Sequence, residues 1–294
     1  MAVIWGTNYA IVKSAFRQLD PQAFNALRML LASAVMAAAS AIAQRTRFHD
    51  IFHTPARVTP ADWRRLAWMG LVGHCLYQYL FVGGLAQTSV ANGALIISST
   101  PIVITLLSSF SRHERPGALH WVGTLVSLLG IYVVVGRGAH VSVASLHGDL
   151  MLMGAVLCWA VYTMGASTLM ERHSPLGVTA LSMLIGTAVY APLCAPALAR
   201  VPWAAVGAIT WLKLVYSAVF ALCVSYTIWY AGVRAIGSAR TAVYSNLLPI
   251  VAMLTAFLWL REPIGPVKLA GAALVLAGVA VARGGSFRRT MDGP

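Results

Sequence analysis

Long apolar runs in this chain carry aromatic and neutral hydrogen-bonding side chains. They are Asn8; His74, Tyr77, Gln78 and Phe81; Ser98; Trp159 and Tyr162; Tyr226 and Trp229; and Tyr244, Ser245 and Asn246. His74, Tyr77, Gln78 and Phe81 follow the i, i+3, i+4, i+7 spacing that puts side chains on one helical face. Polar groups inside an apolar run are costly, and that cost marks them as binding residues. The rings suit an aromatic or bulky apolar body, and the amides, hydroxyls and imidazole suit a small polar end. A competing reading is open for each. Trp5, Tyr9 and Tyr79 also suit an interfacial aromatic belt, and His74 also suits a hydrogen-bonded packing role. Arg28, inside a run, must meet a carbonyl, water or another partner, and Lys13 can reach toward a membrane face.

Other chemistry is not written here. Asp20, Asp50, Asp62, Glu114, Asp149, Glu171, Glu262 and Asp292 lie at run ends or in loops. With no carboxylate deep in a run, coupling of protons or sodium through an acidic relay is not expected. His113-Glu114 lacks the second His of a zinc helix, and neither GxSxG nor a Walker A motif occurs. Cys75, Cys158, Cys194 and Cys223 sit in apolar runs without metal-ligand spacing. No metal or cofactor is expected, and an intramembrane enzyme or a channel is the disfavoured alternative.

The elements that must hold these residues are membrane spans. The chain is 59% hydrophobic and 10% charged, against about 25% charged in soluble domains. A span needs roughly 20 apolar residues. Ten candidates occur, at about 2–18, 22–44, 64–86, 89–111, 117–137, 148–170, 177–199, 209–232, 236–260 and 264–283. Asp20-Pro21, Ser174-Pro175, Arg115-Pro116-Gly117 and Glu262-Pro263 punctuate them. Asn92 is expected to start the fourth. The expected fold is therefore an all-α membrane protein.

The spans repeat. Ala91, Pro101, Glu114, Gly117, Gly123, Gly130 and Gly136 recur 148 residues later as Ala239, Pro249, Glu262, Gly265, Gly271, Gly278 and Gly284. Trp5, Pro21, Ala26, Met29 and Val35 recur 154 residues later as Trp159, Pro175, Ala180, Met183 and Val189. The polar positions correspond too: Asn8 with Tyr162, Gln78 with Tyr226, Phe81 with Trp229, and Ser98 with Asn246. Two domains follow, 1–143 (spans 1–5) and 144–294 (spans 6–10). Five is odd, so the second half enters the membrane upside down, an inverted 5+5 repeat whose shared site opens to each side in turn. Pro101 and Pro249 each remove a mid-helix hydrogen bond, and read either as plain kinks or as hinges. Gly123, Ser127, Gly130, Gly271 and Gly278 read as helix packing within a monomer.

The net charge of +13 sets orientation rather than nucleic-acid binding. Arg45, Arg47, Arg64, Arg65, Arg172, Arg234, Arg283, Arg288 and Arg289 share the side of the N-terminus, while Arg17, Arg137, Arg200 and Lys213 lie opposite. Both termini are expected in the cytoplasm. The N-terminus reads as a first span rather than a signal peptide, and it starts so abruptly that a longer native chain is expected.

Ten spans, two halves, Trp5-Gly6-Thr7-Asn8, and Pro101…Glu114-Arg115 with Pro249…Glu262-Pro263 resemble the EamA-type repeats of the drug/metabolite transporter superfamily. The resemblance covers essentially the whole chain. Within the superfamily the chain is similar to YddG-type exporters of aromatic amino acids. That likeness implies a multi-pass protein of the bacterial inner membrane. It would export amino acids or related metabolites by alternating access, with the lipid bilayer and a small-molecule substrate as its partners. Export of other metabolites or drugs is the alternative within the same superfamily.

Overall fold

The computed structural model describes residues 1–46, 52–53, 56–88, 93, 96–110, 115–135, 143–260, 265–284 and 287–288. Its helices begin where the sequence supplies caps. The Asp20 carboxylate accepts from the Gln22 and Ala23 N–H groups at 2.9 and 3.1 Å, and Pro21 opens the helix where its missing N–H costs nothing. Ser174 accepts from the Gly177 N–H ahead of a helix opened by Pro175. Thr59 and Asp62 form a reciprocal capping box ahead of Pro60.

The main helices are α1 (Ala2–Ala15), α2 (Pro21–Thr46), α3 (Pro60–Gln87), α4 (Thr100–Phe110), α5 (Ala118–Val135), α6 (Val143–Leu169), α7 (Pro175–Leu193), α8 (Ala208–Ile236), α9 (Ser238–Val243), α10 (Leu248–Leu260) and α11 (Pro266–Gly284). A two-residue antiparallel pairing joins Arg115–Pro116 to Phe287–Arg288. Among the described residues, five helices are long and apolar enough to cross a membrane: α2, α3, Ser145–Leu169 of α6, α7 and α8. α4 and parts of α5 and α11 are shorter apolar helices. Leu212, Leu258 and Phe110 point outward, Phe110 with 85% of its surface exposed. Helices that satisfy their own backbone and turn apolar side chains outward suit a lipid solvent.

Two irregularities shape the interior. α3 and α8 each widen into a π-helical stretch, Gly70–Leu76 and Ser217–Val224. These stretches occupy equivalent places in the sequence repeat, and such widenings recur at functional sites. The second irregularity concerns the prolines, which were expected mid-helix. Pro101 is instead the second residue of α4 and Pro249 the second of α10. The chain is already irregular ahead of each: a turn at 98–99 precedes α4, and a 3₁₀ segment, Tyr244–Leu247, precedes α10. Hydroxyls satisfy carbonyls there. Ser99 donates to the Ile96 carbonyl, Thr100 to Ile97 and Ser245 to Ala242. Asn92 and Glu114 lie outside the described residues.

The small-residue stripe is used within the chain. A Cβ on Gly123 would stand 2.6 Å from the Gly278 carbonyl oxygen, and one on Gly278 would stand 2.4 Å from the Ser127 nitrogen. α5 and α11 therefore touch backbone to backbone, and Ser127 donates to the Val275 carbonyl at 3.2 Å.

Candidate functional site

The site is an aromatic-walled cavity of about 70 Å³. Its walls come from α1 (Trp5, Asn8, Tyr9), α2 (Arg28), α3 (Tyr77, Gln78, Phe81), α6 (Val156, Trp159) and α8 (Ala221, Leu222, Tyr226, Trp229). The breaks ahead of α4 and α10, with those helices' first residues, add Ile97, Thr100, Ser245 and Leu248.

The rings form one continuous cluster. Trp159 lies 5.1 Å from both Tyr77 and Tyr226 and 5.7 Å from Trp229, centroid to centroid. Trp5 meets Trp159 edge-on at 5.9 Å, and its indole N–H donates to the Ala221 carbonyl at 2.8 Å. Tyr77 stacks on Phe81 at 5.7 Å. Edge-on and offset ring pairs of this kind contribute about 0.5–1.5 kcal/mol beyond burial. The wall is thus rigid, apolar in body and polar at chosen points.

Three wall residues bury a polar atom that has no hydrogen-bond partner among the described residues: Asn8 Oδ1, Arg28 Nε and Trp229 Nε1. Each is a polar atom that a complementary group of a ligand can satisfy. Arg28 is 1% exposed. Its Nη1 donates to Ser217 Oγ at 3.0 Å, and its Nη2 donates to Asn25 Oδ1 at 2.5 Å and Gln78 Oε1 at 2.7 Å. Each partner is neutral.

Of the residues expected to bind substrate, Asn8, Tyr77, Gln78, Phe81, Trp159, Tyr226, Trp229 and Ser245 line the cavity. His74, Ser98, Tyr162, Tyr244 and Asn246 do not. His74 and Tyr162 hydrogen-bond to each other at 2.8 Å, and Tyr162 meets Ser182 Oγ at 2.9 Å. They close a buried layer behind the Trp159 and Tyr226 rings, with their own rings 4.8 Å apart. Ser98 and Asn246 are buried at the two helix breaks, and Tyr244 is half-buried.

Spacing alone left Trp5, Tyr9 and Arg28 out of the site. Trp5 and Tyr9 front the cavity rather than a belt, whereas Tyr79 is exposed. The signal for Trp5 was its repeat partner Trp159. Lys13 does not reach outward. Its ammonium donates to the carbonyls of Leu85, at 3.0 Å, and Thr88 at the end of α3, where a cation offsets the helix dipole.

A family model described as the EamA-like transporter family matches residues 1–136 and again residues 146–284. The chain is 24% identical to an "Uncharacterized transporter" of Archaeoglobus fulgidus, over 94% of this chain and 93% of that protein. It is 27% identical to the "Uncharacterized transporter YyaM" of Bacillus subtilis, over 74% and 72%. It is 28% identical to a Streptantibioticus cattleyicolor protein named "Probable terminal-alkyne amino-acid exporter", over 74% of this chain and 72% of that one. A solved structure described only as "Crystal structure of protein" superposes with a TM-score of 0.76 at 21% identity, covering 96% of this chain and 93% of the other. At that identity the likeness is one of fold.

Proposed function

Because the chain belongs to the EamA-like transporter family, we propose that it exports aromatic or other bulky apolar amino acids across the bacterial inner membrane by alternating access. In this reading ten spans form two inverted five-helix repeats, residues 1–143 and 144–294, working as a monomer with both termini in the cytoplasm. The observation that carries it is the cavity at the junction of the repeats. Trp5 and Trp159, equivalent in the two copies, pack edge-on there, and Gln78 bonds to its own equivalent, Tyr226. A site shared between inverted copies is one that rocking can open to either side.

The walls suit the substrate class. Trp5, Tyr77, Phe81, Trp159, Tyr226 and Trp229 would hold a ring or branched apolar side chain. Asn8 Oδ1 offers an acceptor to an ammonium group. The relative named as an amino-acid exporter favours amino acids over the other metabolites and drugs of the superfamily. The irregular segments ahead of Pro101 and Pro249 front the cavity and would absorb the backbone changes of rocking.

The experiment is an uptake panel of radiolabelled amino acids in liposomes reconstituted with the full chain. Accumulation of Trp, Phe, Tyr, Leu or Met well above that of Asp, Lys or Gly supports the proposal. A flat profile, or preference for small or charged amino acids, contradicts it.

A further inference from the structure

A buried guanidinium, that of Arg28, stands in the wall of the cavity. We infer that Arg28 is the residue that selects the substrate by its carboxylate, so that the transported solute must be an anion at one end and apolar at the other. This rests on the transporter reading of the cavity.

Arg28 lines the cavity and is buried. Arginine stays charged in proteins and carries five N–H groups. Its hydrogen bonds to Ser217, Asn25 and Gln78 go to neutral acceptors, and Nε is buried with no acceptor among the described residues. No described carboxylate forms an ion pair with it. A buried charge in a membrane protein is costly until an opposite charge meets it. The empty space beside this one is the cavity.

The partners are arranged to present the cation. Asn25 donates its amide N–H to the Tyr190 hydroxyl at 2.8 Å, which turns its carbonyl toward Arg28. Gln78 donates to the Tyr226 hydroxyl at 3.2 Å, which turns its carbonyl the same way. Two tyrosines thus fix two amides, and two amides fix the guanidinium. Such a supporting layer is what a preorganised binding group requires.

The repeat argues against a purely structural role. The residue equivalent to Arg28 in the second copy is Ser182, 154 positions on. Ser182 and Tyr162 close the neutral layer with His74 and are not part of that cavity's wall. The same position in the same fold is therefore built without a charge. The charge is found only in the copy whose residue faces the cavity.

The test compares each aromatic or bulky apolar amino acid with its own carboxamide, for example L-phenylalanine with L-phenylalaninamide, as competitors of uptake into proteoliposomes. At a mildly acidic pH that keeps both amines protonated, the pair differs only in the carboxylate. The wild-type protein should prefer the acid by about tenfold or more, the scale of a buried charge-assisted contact. In Arg28→Gln that ratio should collapse toward one, and Arg28→Lys, which keeps a cation without the planar fork, should fall between. A wild-type ratio near one overturns the assignment without recourse to any variant. An unchanged ratio in both variants overturns it too, because a structural arginine would change protein level or thermal stability and leave selectivity alone. Failure of the wild-type protein to take up the acid of any pair overturns the proposed amino-acid export, and this assignment with it.

Discussion

Gln78 and Tyr226 are 148 residues apart, occupy the same position in the two copies of the repeat, and hydrogen-bond to each other at 3.2 Å. Ser33 and Thr187, equivalent at the other offset of 154 residues, do the same at 2.7 Å. Both pairs lie where one copy of the sequence repeat packs against the other. The cavity wall that carries Gln78 and Tyr226 is therefore shared between the copies.

That shared bond should be measurable. Removing one partner of a buried hydrogen bond costs about 1–3 kcal/mol, and the bond itself is worth about 0.5–1.5 kcal/mol. Tyr226→Phe and Gln78→Leu should each lower the thermal midpoint of the detergent-solubilised protein. The double variant should be less destabilised than the sum of the two. Strict additivity in the cycle would show that the bond does not couple the copies.

The contact between α5 and α11 leaves no room for a side chain. A Cβ on Gly278 would stand 2.4 Å from the Ser127 backbone nitrogen, so the helices must separate. Gly278→Val should destabilise by about 1–3 kcal/mol or more and reduce folded protein in the membrane. Gly265, which has nothing within 4 Å of such a Cβ, is the control: Gly265→Ala should be tolerated. Equal yields of Gly278→Val and wild type in a size-exclusion profile would argue against the close packing.

One interaction recurs in the two copies of the repeat with different chemistry. Asp62 accepts from the Thr59 N–H and hydroxyl at 3.0 and 2.8 Å and lies 3.1 Å from His173 Nε2 and 3.8 Å from Arg172. At the equivalent positions of the other copy, Gln18 accepts from the Thr210 hydroxyl at 2.6 Å and the Gly207 N–H at 3.1 Å. Each ties the start of one helix to the loop of the other copy. Asp62→Ala removes a helix cap and leaves buried His173 unpaired, so it should cost about 1 kcal/mol or more. Arg172→Ala should cost little, since Arg172 is 57% exposed and exposed ion pairs contribute about 0–1 kcal/mol. Thermal midpoints of the two variants check the order; a larger loss for Arg172→Ala would reverse the assignment.

The transport mode follows from where acids are absent. No Asp or Glu stands deep in an apolar run of the sequence, so a substrate gradient alone should drive exchange. Counterflow into proteoliposomes preloaded with unlabelled substrate should proceed with equal pH and sodium on both sides. Uptake that requires a pH gradient and disappears in His74→Ala would assign His74 a proton-carrying role instead.

How far residues alone could lead varies across the molecule. The two copies of the repeat, the helix starts at Asp20-Pro21 and Ser174-Pro175, and most of the rings that line the cavity follow from spacing and turn chemistry, which are local; the cap at Thr59 does not, because it precedes the apolar run of α3. The division between wall and backing layer is not local. Asn8 and Tyr162 are equivalent in sequence, yet Asn8 fronts the cavity and Tyr162 is spent on His74. The π-helical turns in α3 and α8 shift which residues share a face, and no regular period carries that shift. Arg28 was visible as a costly residue. Its neutral partners, drawn from α2, α3 and α8, become neighbours only through packing. Pro101 and Pro249 looked like interruptions of a continuous helix because a proline marks a break without telling which side of it the break falls on.

Passage of substrate through the cavity is tested most directly at its rings. Trp159 on α6 and Trp229 on α8 lie 5.7 Å apart and are buried. Trp159→Ala and Trp229→Ala should each slow counterflow of an aromatic amino acid by roughly tenfold or more, about 1.4 kcal/mol, when rates are normalised to protein in the membrane. Lost stacking and lost burial both contribute. Normalised rates equal to wild type in both variants, with only the amount of folded protein reduced, would show that these rings hold the fold together and that substrate passes elsewhere.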